Sequence, residues 1–314
     1  RAELKDKLRA IIIGMGIEAG ELTGIKNKIN IQVDESHKLE PSSTGITMML
    51  DLLHRSRLQF PGMGMGFLRR MLDEAVDHCK DRFVGGQSLF NYDQVKSRLS
   101  ELQAYFTVCS AMCNFTGSTV PLERNTSKMD LEANSIKSVV TDFMQRASQS
   151  LLQLTGAKGY RLDHIAGRSV VDSRPFQIFE GSNDILYQQI SESVMKMMRR
   201  VKSSNLYDFL SDFELTIKSS DYFKDALNFE IDTKMPQRKL VDLGKALGRI
   251  ISMEFTINLG EQGFNKELVD NAVKTLQDEV NSIMCLFKHG GEASVVEDYQ
   301  IESSWFNLQT VHAE

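Results

Sequence analysis

The stretch Arg174-Pro-Phe-Gln-Ile-Phe-Glu-Gly-Ser-Asn-Asp-Ile-Leu186 places one carboxylate, that of Glu180, directly before a glycine and the start of a helix. Ser182 is a favourable N-cap residue, and residues 183–186 are typical of a first helical turn. Residues 176–179 are mostly apolar, so we expect Glu180 at the edge of a dry pocket. Desolvation there raises the pKa of a carboxyl group toward neutrality, which suits Glu180 to act as a general base.

The same local pattern has a plainer interpretation. Many helices begin with Gly-Ser, and the acid before such a start is often a solvated loop residue. The stretch is then a capping turn with an incidental acid. On the catalytic interpretation, the free N–H groups of the first turn form an anion or phosphate site beside Glu180.

The sequence on either side of this stretch is predominantly helical. One helical pattern runs from about residue 46 to 80 and is interrupted near Pro61, because proline removes a backbone donor. Further helices are predicted at about 92–115, 131–154 and 183–201. Four long amphipathic helices predict a bundle. In the last of them the residues expected to face inward are Ile185, Ile190, Val194 and Met198.

The two ends of the chain differ from this central part. After residue 203 the helical pattern starts again, with a short helix near 206–213 and long amphipathic helices at about 238–259 and 266–288. No motif in this tail indicates a chemical role. Residues 24–33 alternate apolar and polar side chains, as a half-buried β-strand does.

Composition and charge exclude several classes of function. The 314 residues suffice for two domains and a sizeable core. A net charge of −5 gives no indication of a nucleic-acid partner, and no apolar run approaches the length of a transmembrane helix. The chain begins at Arg1 without a secretory signal, so we expect a processed or fragmentary protein that is not secreted.

The cysteines indicate neither a metal site nor a disulfide framework. No Cys-x-x-Cys motif and no nearby pair of histidines is present. We expect reduced, buried thiols in a cytosol-like compartment. The four cysteines are Cys79, Cys109, Cys113 and Cys285.

Four segments, in this order and spacing, resemble the C-terminal helical domain of the acyl-CoA dehydrogenase family. That domain carries an aromatic-Glu-Gly-Thr/Ser turn, and its form here looks most like the very-long-chain branch. The segments are Leu50-Asp-Leu-Leu-His-Arg-Ser-Arg57, Leu72-Asp-Glu-Ala-Val-Asp-His-Cys-Lys-Asp-Arg82 with Gly85-Gly86, Leu151-Leu-Gln-Leu-Thr-Gly-Ala-Lys-Gly-Tyr160, and Phe179-Glu-Gly-Ser-Asn-Asp-Ile-Leu186.

The resemblance implies a mainly all-α fold with a short β remnant at its N-terminus. Residues 1–37 would be the remnant of the family's middle β-domain, and residues 38–203 its C-terminal four-helix bundle. Residues 204–314 would form an additional helical domain. Nearly all of the N-terminal helical domain and the β-domain would be absent, which implies a fragment or an N-terminally truncated chain.

The resemblance also implies a reaction, the α,β-dehydrogenation of a fatty acyl-CoA to a trans-2-enoyl-CoA. Glu180 would remove the α-proton, and FAD would accept a hydride from the β-carbon and pass electrons to the electron-transferring flavoprotein. The implied cofactor-binding residues are Arg82, Gln153, Gly156, Ala157, Ser182, Asn183 and Asp184. The implied substrate-binding residues are His54, Ser56, Arg57 and Gly181.

The family context further implies assembly and location. Arg82 and Gln153 would serve the flavin of a neighbouring subunit, so a homodimer or homotetramer is expected. A bacterial cytoplasm or a mitochondrial matrix is expected as the compartment.

The chain departs from the family pattern, and this leaves alternatives open. Gly85 stands where the family usually has an aromatic residue near the flavin, and Tyr92-Asp93 replaces a Phe-Gln pair. Ala157 and Ser182 replace a glycine and a threonine, which are mild changes. One alternative is a non-catalytic helical assembly or scaffold protein that has lost flavin. The other is a flavin oxidase that passes electrons to O₂.

Single residues of the expected site have plainer roles as well. Arg57 or Arg82 is a suitable cation for the carbonyl groups at the end of a helix. Gly156 is a suitable helix stop, and His54 a suitable packing residue.

Overall fold

The computed structural model describes residues 34–37, 43–232, 234–291 and 294–295. The chain divides into two compact units, Arg1–Gly45 and Ile46–Glu314. In the first unit the described residues include a short 3-10 helix at Glu35–His37. The predicted strand at residues 24–33 lies outside the described residues.

The described part of the chain is almost entirely helical, as predicted. A small antiparallel hairpin consists of β1 (Phe83–Val84) and β2 (Gln87–Ser88). Short 3-10 helices lie at Leu89–Asn91, Gly156–Tyr160, Arg174–Gln177 and Ser220–Phe223. The α-helices in chain order are α1 (Gly45–Leu58), α2 (Phe60–Asp81), α3 (Asp93–Thr119), α4 (Asp130–Thr155), α5 (Ile165–Ser173), α6 (Asn183–Val201), α7 (Leu206–Ser211), α8 (Lys224–Leu227), α9 (Gln237–Glu261) and α10 (Lys266–His289).

The interruption predicted near Pro61 is confirmed. Helix α1 ends at Leu58, and α2 begins at Phe60 with Pro61 in its first turn. Proline fits this position because the first N–H groups of a helix have no partner within the helix. Helix α3 continues through Thr119, so it is longer than the predicted segment 92–115.

The hairpin between α2 and α3 turns on two glycines. Gly85 and Gly86 have φ angles of +59° and +85°, which glycine adopts without the strain that a side chain would cause. The hydroxyl of Tyr92 donates a hydrogen bond of 2.7 Å to the carbonyl of Val84. A Cβ at position 85 would lie 2.8 Å from that hydroxyl oxygen.

Two helices form the centre of the core. In α4 every residue from 133 to 141 is buried, and in α9 every residue from 246 to 256 is buried. Helix α4 packs against α2 and α6, whereas α9 packs against α6, α3 and α10. A helix buried on all sides indicates the interior of the molecule, so α9 is part of the core.

Helices α9 and α10 extend the bundle, and the compact unit continues across the boundary predicted at residues 203 and 204. At Gly244 a Cβ would lie 1.8 Å from the carbonyl oxygen of Tyr187, so the backbones of α9 and α6 are in direct contact. At Gly248 the nearest atoms belong to Val139 of α4 and Tyr187. Helices α9 and α10 thus pack on the same core as α4 and α6, and the domain boundary at residues 203 and 204 stays a prediction.

Other predictions require correction. Ile185 was expected to face inward but is 51% exposed, whereas Leu186 and Tyr187 are fully buried. Because the helix begins at Asn183, the face formed by Asn183, Tyr187 and Ile190 is the one turned to the core. Cys79 and Cys109 are buried as expected, but Cys285 is exposed. Helix α5 was not predicted.

Candidate active site

The site is organised around the turn that joins the 3-10 helix Arg174–Gln177 to α6. The carbonyl of Pro175 accepts hydrogen bonds from the N–H groups of Ile178, at 2.9 Å, and Phe179, at 3.1 Å. Glu180 then has a φ of 55°, an uncommon conformation for a residue with a side chain, and Gly181 has a φ of 97°. The two positive φ angles reverse the chain direction directly before the helix begins.

Two buried cations hold the carbonyl groups of this turn. Arg57, in the last turn of α1, donates from Nη2 to the carbonyl of Glu180 at 2.6 Å. Lys137, in α4, donates from Nζ to the carbonyl of Gly181 at 2.9 Å. Arg57 is also fixed by a bond of 2.7 Å from Nη1 to Oδ1 of Asn134. The unusual backbone of Glu180 is thus held from two different helices.

The Glu180 carboxylate has one satisfied oxygen and one unsatisfied oxygen. The hydroxyl of Ser56 donates to Oε1 at 2.8 Å. Oε2 is buried and has no hydrogen-bond partner among the residues that the structure describes. A buried carboxylate oxygen without a donor is costly, and such atoms are uncommon in native proteins. It is therefore suited to accept a proton from a bound molecule.

Three aromatic side chains cluster around the residues that precede Glu180. The ring of Phe60 lies 5.9 Å from that of Phe176 and 6.2 Å from that of Phe179, measured between centroids. Phe176 and Phe179 are 5.4 Å apart. Phe60 is buried, whereas Phe179 is 42% exposed, so the cluster extends from the core to the surface.

Burial lowers the pKa of both cations. For Lys137 the pKa falls to about 8, chiefly through desolvation and then through the charge of Arg57, while Glu180 and Asp142 act in the opposite direction. The pKa of Arg57 is also lowered by desolvation, and Glu180 partly offsets this. A depressed lysine pKa indicates that keeping this cation buried costs free energy.

The residues that begin α6 have different surroundings. Ser182 occupies the predicted N-cap position, but its side chain makes no capping bond. Asn183 is buried, and its amide oxygen accepts from Lys137 at 2.9 Å while its amide nitrogen donates to Oδ1 of Asp142 at 2.8 Å. Asp184 is exposed, with Nζ of Lys245 4.0 Å away. Asn183 therefore fastens α6 to α4.

The expected substrate-binding residues separate into two groups. Ser56, Arg57 and Gly181 all lie at the Glu180 turn. His54 is buried and bonds through Nδ1 to the carbonyl of Thr126 at 2.8 Å. Because a carbonyl only accepts, this nitrogen carries the proton, and the contact favours the packing role for His54.

The remaining expected cofactor-binding residues lie on the surface at helix ends. Arg82 is exposed, and its N–H ends α2 by bonding to the carbonyl of His78 at 3.1 Å. Gln153 and Ala157 are exposed on either side of Gly156, the C-cap of α4, which has a φ of 67°. Gly156 is thus a helix stop as well as an exposed position. The structure gives these residues no contact with Glu180.

Sequence reasoning missed three polar residues that build the site. Asn134, Lys137 and Asp142 lie on α4 between apolar residues, and each has partners far along the chain. Their spacing of three and five residues resembles the solvated side of a surface helix. The residues between them alternate apolar side chains with Ser135, Ser138 and Thr141, so the sequence carries no clear signal that these polar residues are buried.

Residues 182–184 also line a cleft of about 490 Å³ beside the turn. Arg174 and Lys245 contribute cations to its wall. Since Ser182 does not cap the helix, the first-turn N–H groups of α6 remain suited to an anion. Within the described ranges, no group of three or more metal-binding side chains is found, and no helix is long and apolar enough to cross a bilayer.

Residues 43–195 match the family model described as "Acyl-CoA dehydrogenase, C-terminal domain". This segment belongs to the acyl-CoA dehydrogenase family. The match covers α1 to most of α6 and includes the turn at Glu180. The acyl-CoA dehydrogenase domain is therefore the part of the chain that holds the candidate active site.

Curated relatives agree with this assignment over about half of the chain. The human mitochondrial very long-chain specific acyl-CoA dehydrogenase is 23% identical over 172 residues, which are 55% of this chain and 26% of the relative. Subunit CarC of the caffeyl-CoA reductase-Etf complex of Acetobacterium woodii is 20% identical over 167 residues, 53% of this chain and 43% of the relative. The chain thus spans between a quarter and a half of the length of these two relatives.

A solved structure shares the fold over a longer range. The crystal structure of acyl-CoA dehydrogenase complexed with FAD from Bacillus anthracis has a TM-score of 0.60 and 14% identity, and covers 79% of this chain and 50% of that chain. The family match ends at residue 195, and 79% of the 314 residues is more than 195 residues. The structural match must therefore include residues that follow the family match. The acyl-CoA dehydrogenase fold therefore continues into the helices of the tail.

Proposed function

We propose that this chain is the C-terminal portion of an FAD-dependent acyl-CoA dehydrogenase that acts on longer fatty acyl-CoA thioesters. One observation carries the proposal. Glu180 has a buried carboxylate oxygen without a partner, on a turn whose two carbonyl groups are held by Arg57 and Lys137. Such an arrangement presents a fixed proton acceptor toward a bound molecule.

The reaction needs two contributions from this turn. Oε2 of Glu180 would accept the α-proton of the thioester, while Ser56 holds Oε1 and fixes the direction of the carboxylate. The backbone N–H of Glu180 has no hydrogen bond to another described residue, so it would donate to the thioester carbonyl. That bond would strengthen as negative charge develops on the carbonyl oxygen.

The residues around the cleft fit a cofactor that carries phosphate. When bound, FAD would accept the hydride from the β-carbon, leaving a trans-2-enoyl-CoA. The first-turn N–H groups at residues 182–184 and the nearby cations are suited to its pyrophosphate. The exposed Arg82, with Gln153, Gly156 and Ala157 at the end of α4, would contact the flavin of a neighbouring subunit, which requires a dimer or tetramer.

The proposed electron acceptor is the electron-transferring flavoprotein. The Acetobacterium woodii relative is a subunit of a reductase-Etf complex, and this supports the same partner here. A compartment that contains such a partner, the mitochondrial matrix or a bacterial cytoplasm, fits the proposal.

The test is the visible spectrum of the chain mixed with FAD, before and after addition of palmitoyl-CoA. We expect a bound flavin spectrum that bleaches as the substrate is oxidised. With Glu180→Gln the flavin should stay bound while bleaching slows by about 10²- to 10⁴-fold, because only the proton acceptor is lost. Glu123→Gln, at an exposed glutamate, is the matched control and should bleach at the normal rate.

Two results would contradict the proposal. Bleaching at the normal rate in Glu180→Gln would remove Glu180 from the mechanism. Rapid reoxidation of the bleached flavin by O₂, rather than by the electron-transferring flavoprotein, would identify a flavin oxidase instead.

A second candidate function is a non-catalytic helical scaffold of the same family. It is favoured by the hairpin, where the Tyr92 hydroxyl lies 2.8 Å from the position that a side chain at Gly85 would need. An aromatic side chain, usual at this place in the family, would have to displace that hydroxyl. A chain that binds no FAD under any condition, yet assembles into a stable oligomer, would support the scaffold.

A further inference from the structure

Asp142 connects the two ends of the Glu180 turn. Its Oδ1 accepts one hydrogen bond from Nε2 of Gln177 at 2.8 Å and another from Nδ2 of Asn183 at 2.8 Å. Gln177 precedes Glu180 by three residues, and Asn183 follows it by three. One carboxylate oxygen therefore holds the side chain of a residue on each side of the candidate base.

The other carboxylate oxygen of Asp142 forms a hydrogen bond with a residue of the tail helices. Oδ2 accepts from the hydroxyl of Tyr187 at 2.6 Å and from Nη2 of Arg249 at 3.2 Å. Arg249 is on α9, outside the family match, and only 1% exposed. Its Nε donates to Oε2 of Glu279 on α10 at 2.6 Å, and Nη1 donates to the Tyr187 hydroxyl at 3.2 Å.

A carboxylate in this position needs such a partner. Burial acts to raise the pKa of Asp142, but the charge of Arg249 and the bonds from Tyr187, Asn183 and Gln177 outweigh it, so the pKa is lowered. Removing the cation would leave a buried charge without compensation, which proteins relieve by movement or protonation. Either response would change what Asp142 can accept from Gln177 and Asn183.

We propose that Arg249 is a positioning residue for the candidate active site. It fixes Asp142, and Asp142 fixes the residues on either side of Glu180. The role of the tail helices is then to supply this cation and its second anchor, Glu279. The catalytic meaning of this inference rests on the proposed function, whereas the positioning itself does not.

The geometry of arginine is central to this role. The planar guanidinium contacts Asp142, Glu279 and the Tyr187 hydroxyl at the same time. A lysine at position 249 keeps the charge, but its single ammonium cannot reproduce the arginine fork. Arg249→Lys therefore separates positioning from charge balance. A displacement of about 1 Å in a catalytic group is enough to slow a reaction by about 10²-fold.

The experiment measures amide hydrogen exchange in the full chain by mass spectrometry, for Arg249→Lys and for Arg146→Lys. Arg146 is a matched control, because its guanidinium also binds Glu279, at 2.6 Å, but makes no hydrogen bond to the Asp142 carboxylate. We expect Arg249→Lys to accelerate exchange in residues 178–187 by about tenfold or more, with little change in α2. Arg146→Lys should leave both segments unchanged.

Equal acceleration in residues 178–187 and in α2 would mean a general loss of stability, and this would overturn the proposal. No acceleration in residues 178–187 would overturn it too. If Arg249→Lys does not fold, Tyr187→Phe serves in its place, because it removes the hydroxyl shared by Asp142 and Arg249 and keeps the ring. It should give the same local pattern.

A second measurement connects positioning with chemistry. In Arg249→Lys the rate constant for flavin reduction by palmitoyl-CoA should fall by about tenfold or more, while the substrate concentration for half-maximal rate stays within about threefold. An unchanged rate constant would overturn the catalytic part. If the unaltered chain shows no flavin reduction, the proposed function fails, and the exchange experiment still decides whether Arg249 positions the turn.

Discussion

At the scale of single residues, the backbone of Glu180 is the feature that most needs explanation. A residue with a side chain in the left-handed region costs on the order of 1–3 kcal/mol and persists only where its surroundings enforce it. Here the enforcing groups are Arg57 and Lys137, which bind the carbonyls of Glu180 and Gly181. Placing two cations in the core is itself costly. The fold therefore bears both the backbone strain of Glu180 and the desolvation of Arg57 and Lys137.

The buried Lys137 predicts a particular dependence of stability on pH. Its pKa is about 8 in the folded chain and 10.5 ordinarily, so between these values the unfolded chain binds more protons. The free energy of unfolding contributed by this group should therefore rise with pH from about 8 to 10.5, by up to about 3 kcal/mol. Denaturant unfolding across this range measures it.

Lys137→Met is the reference for that measurement, because all other titrating groups are shared. As pH rises, the free energy of unfolding of the unaltered chain should increase relative to that of Lys137→Met. A difference that stays constant from pH 7 to 10.5 would show that the Lys137 pKa is not depressed.

The sequence predicted the position of this turn but not its support. The Gly-Ser start of α6 and the apolar residues 176–179 are local signals, and both led to Glu180. Arg57 and Lys137 contact it from positions 123 and 44 residues away, and nothing in their neighbourhood marks them as buried. The capping role of Ser182 was inferred from its type, but its side chain makes no such bond.

At the scale of secondary-structure elements, apolar periodicity predicted most of the long helices because each buries one face. It also predicted α4, at about 131–154, and α9, at about 238–259, but it did not show that burial surrounds these two helices. Helix α4 is buried on all sides and carries polar residues that pair across the core, so its pattern resembles that of a surface helix. Helix α5, with nine residues, is too short for its period to be recognised.

The contact between α9 and α6 gives a prediction at this scale. Gly244→Ala would place a Cβ 1.8 Å from the carbonyl oxygen of Tyr187, and two helix backbones cannot both stay in place. We expect the free energy of unfolding to fall by about 3 kcal/mol. Denaturant unfolding followed by circular dichroism measures this change.

Gly66→Ala is the matched control, since Gly66 is also in a helix and a Cβ there meets no atom within 4 Å. Alanine has the higher helix propensity, so this variant should gain up to about 1 kcal/mol. Equal effects of the two substitutions would mean that α9 is not held against α6.

At the scale of the whole molecule, residues 46–291 are expected to unfold as one cooperative unit. Helices α4 and α9 share a core, and the buried network of Asp142, Arg249 and Glu279 joins them. The slowest amides of α4 and α9 should therefore report the same free energy of opening, within about 1 kcal/mol. Hydrogen exchange under native conditions measures both helices in one experiment.

A lower free energy of opening in α9 and α10 than in α4 would contradict this and support the boundary predicted at residues 203 and 204. That boundary followed from a reset in the helical pattern, which marks the end of one helix and the start of another. Whether the later helices have their own core depends on contacts such as Gly244 with Tyr187, which involve residues far apart in sequence.

The hairpin at Gly85 has a consequence for natural variation. The Tyr92 hydroxyl lies where a Cβ at position 85 would reach, and it is bound to the carbonyl of Val84. A side chain at position 85 and a tyrosine at position 92 should therefore exclude each other during evolution. Homologues that acquire a larger residue at 85 should carry phenylalanine or a smaller residue at 92, so that the two positions covary.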